Sequence, residues 1–283
     1  MHDRHPLPLQ QHPRFATALS AVGATVSATH LPQADDIQIV QRFGLHFATR
    51  GPIFDPKAGL DQRIAALRQA GLHLLNAETP DPALRGAGFR QTHTGAFVAE
   101  MILDAGIIGR LHPKWRATWR KAGEMTLKPA PFTPHDHGWL LQADHLQQRK
   151  AGYRALPHAL IRAFAATAPD AATVYTAEID DAPIAAMLFL RHAPVVTYHL
   201  GWTSEHGRLC GAHHKILIAA AHDHAAKGYR RLDLGLVDTH NSPGLARFKI
   251  GTGALIRQLG GTWIRLPGLC EARSRLASGR IGR

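Results

Sequence analysis

Cysteine is nearly absent from this chain: of 283 residues only Cys210 and Cys270 carry thiols. Two thiols cannot build a disulfide framework, and alone they cannot hold a structural zinc. Long apolar runs are also missing, and no stretch approaches the roughly 18 apolar residues of a membrane span. The opening MHDRHPLPLQQHPRF is polar and proline-rich, without the apolar core of a secretory signal. The cytoplasm is therefore the expected location. No short-period repeat suggests a solenoid, and no low-complexity tract suggests disorder. Acidic residues are scarce: 21 Asp and Glu face 33 Lys and Arg, a net charge of +12 with histidine neutral. Such a surface favours polyanions, whether nucleic acid, phosphate-rich cofactors or anionic lipid. A solubility device explains the same excess, since net charge carries no sequence information. The basic residues concentrate weakly at 110–128 and 273–283.

Apolar residues make up 45% of the chain, enough for a sizeable core in one large domain or two small ones. Residues 1–14 read as a loose tail, Phe15 to Val26 as a helix, and 27–36 as a breaker-rich link. Ile37 to Thr49 alternates like one or two strands and ends at a turn, Arg50-Gly51-Pro52. Leu60 to Ala70 has helical spacing and stops at Gly71, followed by strands at Leu72 to Ala77 and Phe97 to Leu103. His112 to Gly123 is a basic helix with proline at its start, and Lys128 to His137 a proline-rich break. Helical patterns fill 138–168. The order then changes to three strands (172–179, 183–191, 194–202), a loop (203–211), a helix (212–227), a strand (231–236), a short helix (243–250) and a final strand (255–266).

That order, a meander followed by a loop, a long helix and alternating elements, resembles the GNAT acyltransferase core. The residues sharpen the resemblance. Asp233-Leu234-Gly235, Asn241-Ser242-Pro243-Gly244 and Phe248-Lys249 with Gly253 are similar to the D-x-G, N-x-P-G and F-K-x-x-x-G segments of the Fem family of aminoacyltransferases. Arg50-Gly51-Pro52 resembles that family's R-G-P turn, and Lys114-Trp115-Arg116 with Arg120-Lys121-Ala122 its K-x-R-x-x-x-R-K-A helix. The likeness runs from about Gln38 to Pro267. It implies an α/β (α+β) fold of two tandem GNAT-like domains, with mixed central sheets flanked by helices and a short first domain. The expected division is a tail and helix (1–36), a short GNAT-like domain (37–110), a basic helix and connector (111–170), the acyltransferase domain (171–268) and a basic tail (269–283).

The resemblance also nominates a site. Arg208, Gly211, Ala212 and His213 occupy the loop where GNAT enzymes present backbone amides to a pyrophosphate, a helix N-terminus with its unpaired N–H groups and positive dipole end. His213 stands where a second small residue belongs. Lys249 is implied as the cation at the reacting carbonyl, where acyl transfer builds negative charge; a surface lysine favourable to a helix C-terminus is the alternative. Phe248 reads as core or donor contact. Asp233 closes a strand at the cleft and either orients the incoming amine or caps the following loop. Tyr198 is a weaker acid or donor candidate. Arg50, Lys114, Arg116 and Arg247 form a basic set for an acceptor or RNA phosphate, or in part a solvated helix face. Trp115 and Trp119, four apart, share a helix face and pack. The pairs His135/His137, His213/His214 and His222/His224 lack a metal-site pattern, and no metal is expected.

Three functions follow. The first is aminoacyl transfer from aminoacyl-tRNA to a small-molecule, peptide or lipid-linked amine. The second is acyl-CoA-dependent N-acyl transfer. The third is a non-catalytic binding protein on nucleic acid or an anionic lipid surface. No permanently bound cofactor is expected; the donor, aminoacyl-tRNA or acyl-CoA, is a substrate.

Overall fold

The computed structural model describes residues 5–152 and 154–265, so the expected basic tail lies outside the described residues. In chain order the strands are β1 (Thr25–Thr29), β2 (Ile37–Arg42), β3 (Leu45–Thr49), β4 (Leu74–Ala77), β5 (Arg90–His93), β6 (Phe97–Ile102), β7 (Thr126–Pro131), β8 (Ala172–Ile179), β9 (Ala182–His192), β10 (Val195–Thr203), β11 (Arg231–Val237), β12 (Leu255–Gln258) and β13 (Gly261–Ile264). The helices are α1 (Pro13–Ala21), α2 (Leu60–Gln69), α3 (Ala83–Gly86), α4 (Ile107–Arg110), α5 (Pro113–Lys121), α6 (Pro134–Ala151), α7 (His158–Ala165), α8 (Glu205–Leu209), α9 (Ala212–Ala226) and α10 (Pro243–Gly251).

The strands form two mixed sheets, in the orders β1-β2-β3-β4-β13-β5 and β12-β6-β11-β10-β9-β8-β7. Both contain a parallel pair, β3 with β4 and β10 with β11. Two compact units result. The first takes the described residues of 1–16, 24–96 and 258–283, and the second takes 17–23 and 97–257.

This division corrects the one expected from the sequence. β6, assigned to the first domain, lies in the second sheet and pairs along its length with β11. Its buried run Val98 to Met101 needs cover on both faces, which an internal position supplies. The final strand is two strands in different sheets. Gly261 breaks it with φ +88°, and a Cβ on Gly260 would come 2.2 Å from the Thr79 carbonyl oxygen. The 111–170 region is no separate connector. β7 extends the second sheet by pairing with β8, α5 packs on α9, and α6 packs on β10. Pro129 and Pro131 masked β7, yet they sit at a sheet edge, where a missing N–H breaks no ladder. β1, spanning the end of the expected helix and the start of the expected link, pairs with β2 across five residues. The expected loop 203–211 contains α8, capped by the Ser204 hydroxyl, which accepts from Gly207 N at 3.0 Å.

In the second unit, β8 and β9 join through Asp180-Asp181, both left-handed (φ +50° and +58°), matching the twist of a two-residue hairpin. β9 is buried from Ile184 to His192, and α9 packs across β8, β9 and β10. The parallel pairing of β10 with β11 covers three positions, Val195↔Arg231 to Thr197↔Asp233. Beyond it β10 runs on to Thr203 and β11 to Val237, each with a bulge, at Tyr198/Leu200 and Asp233/Gly235. Bulges bend a strand and end pairing, so the sheet splays at Asp233.

Candidate active site

The splay is where Lys249 lies. α10 starts with Pro243 at a position where a missing N–H is harmless. The turn before it is organised by the Asp238 carboxylate, which accepts from the backbone N–H groups of His240 (2.9 Å) and Asn241 (2.8 Å). From this helix the Lys249 side chain reaches β11, and its ammonium donates to the Leu236 carbonyl at 2.7 Å. Lys249 is buried, and desolvation pushes its pKa down to about 8, while the nearby Asp233 charge acts the opposite way. An ammonium carries three donors. Only one is used among the described residues, so two remain for a ligand oxygen.

Gly235 and Asp233 shape this corner. Gly235 has φ +74°, and a Cβ there would lie 3.9 Å from the Lys249 Nζ, an ordinary contact. The glycine thus serves the backbone conformation rather than space. Asp233 is buried and its Oδ1 accepts the Gly235 N–H at 2.7 Å. The carboxylate therefore caps the bulge and supplies the counter-charge that Lys249 feels.

The N-terminus of α9 forms a second feature. Gly211 has φ +69°, and a Cβ there would meet the Ala122 Cβ at 3.2 Å. The N-cap glycine offers no side chain to this helix end, so among the described residues the first-turn amides of Ala212 and His213 have no side-chain acceptor. The His213 Nε2 lies 2.9 Å from the Trp202 carbonyl, past the end of β10–β11 pairing, and its ring is 6.2 Å from that of Phe248. Burial lowers the His213 pKa, opposed by the bond to Trp202. His214 packs against Trp115 (4.5 Å between ring centroids) and Phe248 (5.2 Å), and burial pushes its pKa down to about 4. Arg208 is exposed on α8, its Nη2 3.5 Å from the Thr203 carbonyl.

The other nominated residues divide. Arg50 belongs to the first unit, where it is buried in a bidentate pair with the Glu78 carboxylate. Arg116 spends its Nη2 on the carbonyls of Gly109 (2.9 Å) and Leu111 (3.0 Å), tying α4 to α5. Neither geometry is that of a side chain offered to a phosphate. Lys114 and Arg247 are exposed. The Tyr198 ring is 5.9 Å from Phe189, and its hydroxyl would lie 2.4 Å from a Cβ on Gly201. Trp115 is buried and Trp119 packs against the same core. Among the histidine pairs, His224 is buried with Nδ1 2.6 Å from the Ala220 carbonyl, and His137 Nδ1 accepts from Thr133 N at 3.2 Å.

Sequence reasoning missed the contacts that seat Lys249. The Trp115 indole N–H donates to the Phe248 carbonyl at 3.0 Å, and the His112 N–H donates to Gly251 at 2.9 Å. Gly253, φ +72°, is pressed on the Arg110 carbonyl, which a Cβ would approach to 2.1 Å. The two glycines of Gly251-Thr252-Gly253 were the available signal, since close backbone approach is a use specific to glycine.

Comparison with known proteins bears on the family and the fold. Residues 90–249, more than half the chain, match the family model described as Acetyltransferase (GNAT) domain. No curated protein matches in sequence. Among solved structures, the crystal structure of FemX has a TM-score of 0.74 at 11% identity, covering 97% of this chain and 95% of that one. The C-terminal domain of a putative lysylphosphatidylglycerol synthetase from Agrobacterium fabrum has a TM-score of 0.59 at 15% identity, covering 97% and 94%. L-PGS from Bacillus licheniformis has 0.56 at 14%, covering 98% and 99%. At such identities the likeness is one of fold, two GNAT-like units in tandem. The chain belongs to the GNAT acetyltransferase-domain family, an acyltransferase fold, and its fold is similar to that of FemX.

Proposed function

We propose that this protein moves an aminoacyl group from aminoacyl-tRNA onto a small-molecule, peptide or lipid-linked amine, with Lys249 stabilising the charge that develops on the ester carbonyl oxygen. The observation that carries this reading is the buried ammonium with two N–H donors unused among the described residues, at the point where β10 and β11 part. In the reaction the amine nitrogen attacks the ester carbonyl carbon and the C–O bond to the ribose breaks. The amine loses a proton and the ribose oxygen gains one. Negative charge passes through the carbonyl oxygen, where a desolvated, pre-placed cation acts far more strongly than in water. The preference for a tRNA donor draws support from His213, whose ring stands in the small-residue position of the cradle and engages the Trp202 carbonyl. The net charge of +12 suits an RNA partner. A tRNA donor also implies work in the cytoplasm.

The test offers purified protein charged tRNA and a panel of amines and follows ribonuclease-sensitive transfer. Lys249→Met should lower kcat by roughly 100-fold or more, the usual loss for one oxyanion donor. Turnover with acyl-CoA and none with any charged tRNA would remove the tRNA reading. The second reading, an acyl-CoA donor, draws on Gly211 and the uncapped first turn of α9. It expects saturable coenzyme A binding by calorimetry, lost in Arg208→Ala. Inactivity with both donors, alongside binding that weakens steeply with salt, would favour an adaptor on nucleic acid or anionic lipid.

A further inference from the structure

We infer that Trp115 is a positioning residue for Lys249: its indole N–H holds the Phe248 carbonyl and so sets where the ammonium stands. The inference rests on the role proposed for Lys249. In a regular α-helix the Phe248 carbonyl would accept from the N–H of Thr252, four residues on. Here Thr252 N turns instead to the carbonyls of Ile250 and Lys249, and its Oγ1 also donates to Lys249 O at 2.6 Å. The tightened last turn thus takes the Phe248 carbonyl's regular donor away, and Trp115 Nε1 supplies one at 3.0 Å. The bond falls one residue before Lys249.

The rest of the indole is equally constrained. Gly251 lies against its five-membered ring, so close that a Cβ would come 2.5 Å from Cδ1. His214, on the first turn of α9, covers it at 4.5 Å, and the Phe248 ring lies at 5.7 Å. The preceding residue pair, His112 N to Gly251 O at 2.9 Å, fixes the same stretch of α10. One side chain on α5 therefore ties the α10 turn bearing Lys249 to the α9 turn bearing the uncapped amides. A lysine stem has several rotatable bonds and, unless its helix is fixed, moves its charge toward water. Trp115 opposes that by fixing the helix.

The test compares Trp115→Phe, which keeps a ring but no N–H, with Gly251→Ala, which keeps the indole but displaces it. Trp119→Phe on the same helix is the control. Carbon-13 NMR of the lysine ε-methylenes follows the titration of Lys249, independently of any substrate. Both variants should move that titration up from about 8 toward the ordinary 10.5 as the amine gains water. With turnover as a second readout, kcat should fall at little-changed KM, while Trp119→Phe should alter neither. An unchanged Lys249 titration and kcat in folded Trp115→Phe and Gly251→Ala would overturn the inference. Failure of the Lys249 role shows separately, as full transfer by Lys249→Met.

Discussion

A buried ammonium makes a measurable demand on the fold, and Lys249→Met should expose it. The amine titrates near 8 in the folded chain against 10.5 when solvated. Between those values the unfolded chain binds more protons, so stability rises with pH across that window. The penalty is fully present below 8 and gone above 10.5. Two and a half pH units correspond to about 3 kcal/mol at neutral pH. Against this stands the hydrogen bond to the Leu236 carbonyl; Leu236 is exposed, so water can replace the donor at roughly 1 kcal/mol. Methionine fills a similar volume without charge. The variant should therefore be more stable than the parent by about 2 kcal/mol at pH 7.5, and its advantage should shrink by about 2 kcal/mol at pH 9.5. Urea midpoints of both proteins at the two pH values measure this. A less stable variant at pH 7.5, or an advantage that ignores pH, would refute the assignment of Lys249 as a desolvated cation. A gain in stability with a loss of transfer is the trade-off expected where an active site holds a group the fold would rather exclude.

Three further outcomes are expected. His224 is buried and its pKa is held at about 4 by desolvation, so the unfolded chain takes up a proton that the folded chain refuses; stability should fall by about 2 kcal/mol from pH 7 to pH 5 on its account, and His224→Gln should flatten that slope in urea titrations. Gly253→Ala forces a left-handed alanine onto the Arg110 carbonyl and should cost more than about 2 kcal/mol, read as a lowered Tm. Glu78→Gln breaks the buried pair with Arg50 in the first unit and should destabilise by about 3 kcal/mol, with Arg50→Met/Glu78→Leu recovering much of the loss in denaturant titrations.

Local order determined what the amino-acid sequence conveys by itself. The meander β8–β9–β10, its Asp180-Asp181 turn and the helix stopping at Gly228 are written in period, turn chemistry and breakers, each decided within a few residues. The motif residues Asp233, Gly235 and Lys249 were also visible as types in order. Tertiary structure decided the rest, because pairing partners are chosen by burial across the fold. It sent β6 to the second sheet and β13 to the first, and it admitted a proline-bearing β7 at an edge. It turned Arg50 and Arg116 inward to a carboxylate and to carbonyls, although as sequence they are only basic residues near a motif. Above all it decided the surroundings of Lys249, which the motif had only named: the desolvation that lowers its pKa comes from burial near the β10–β11 splay, and its helix is bonded by Trp115 from α5, neither of which any local pattern encodes.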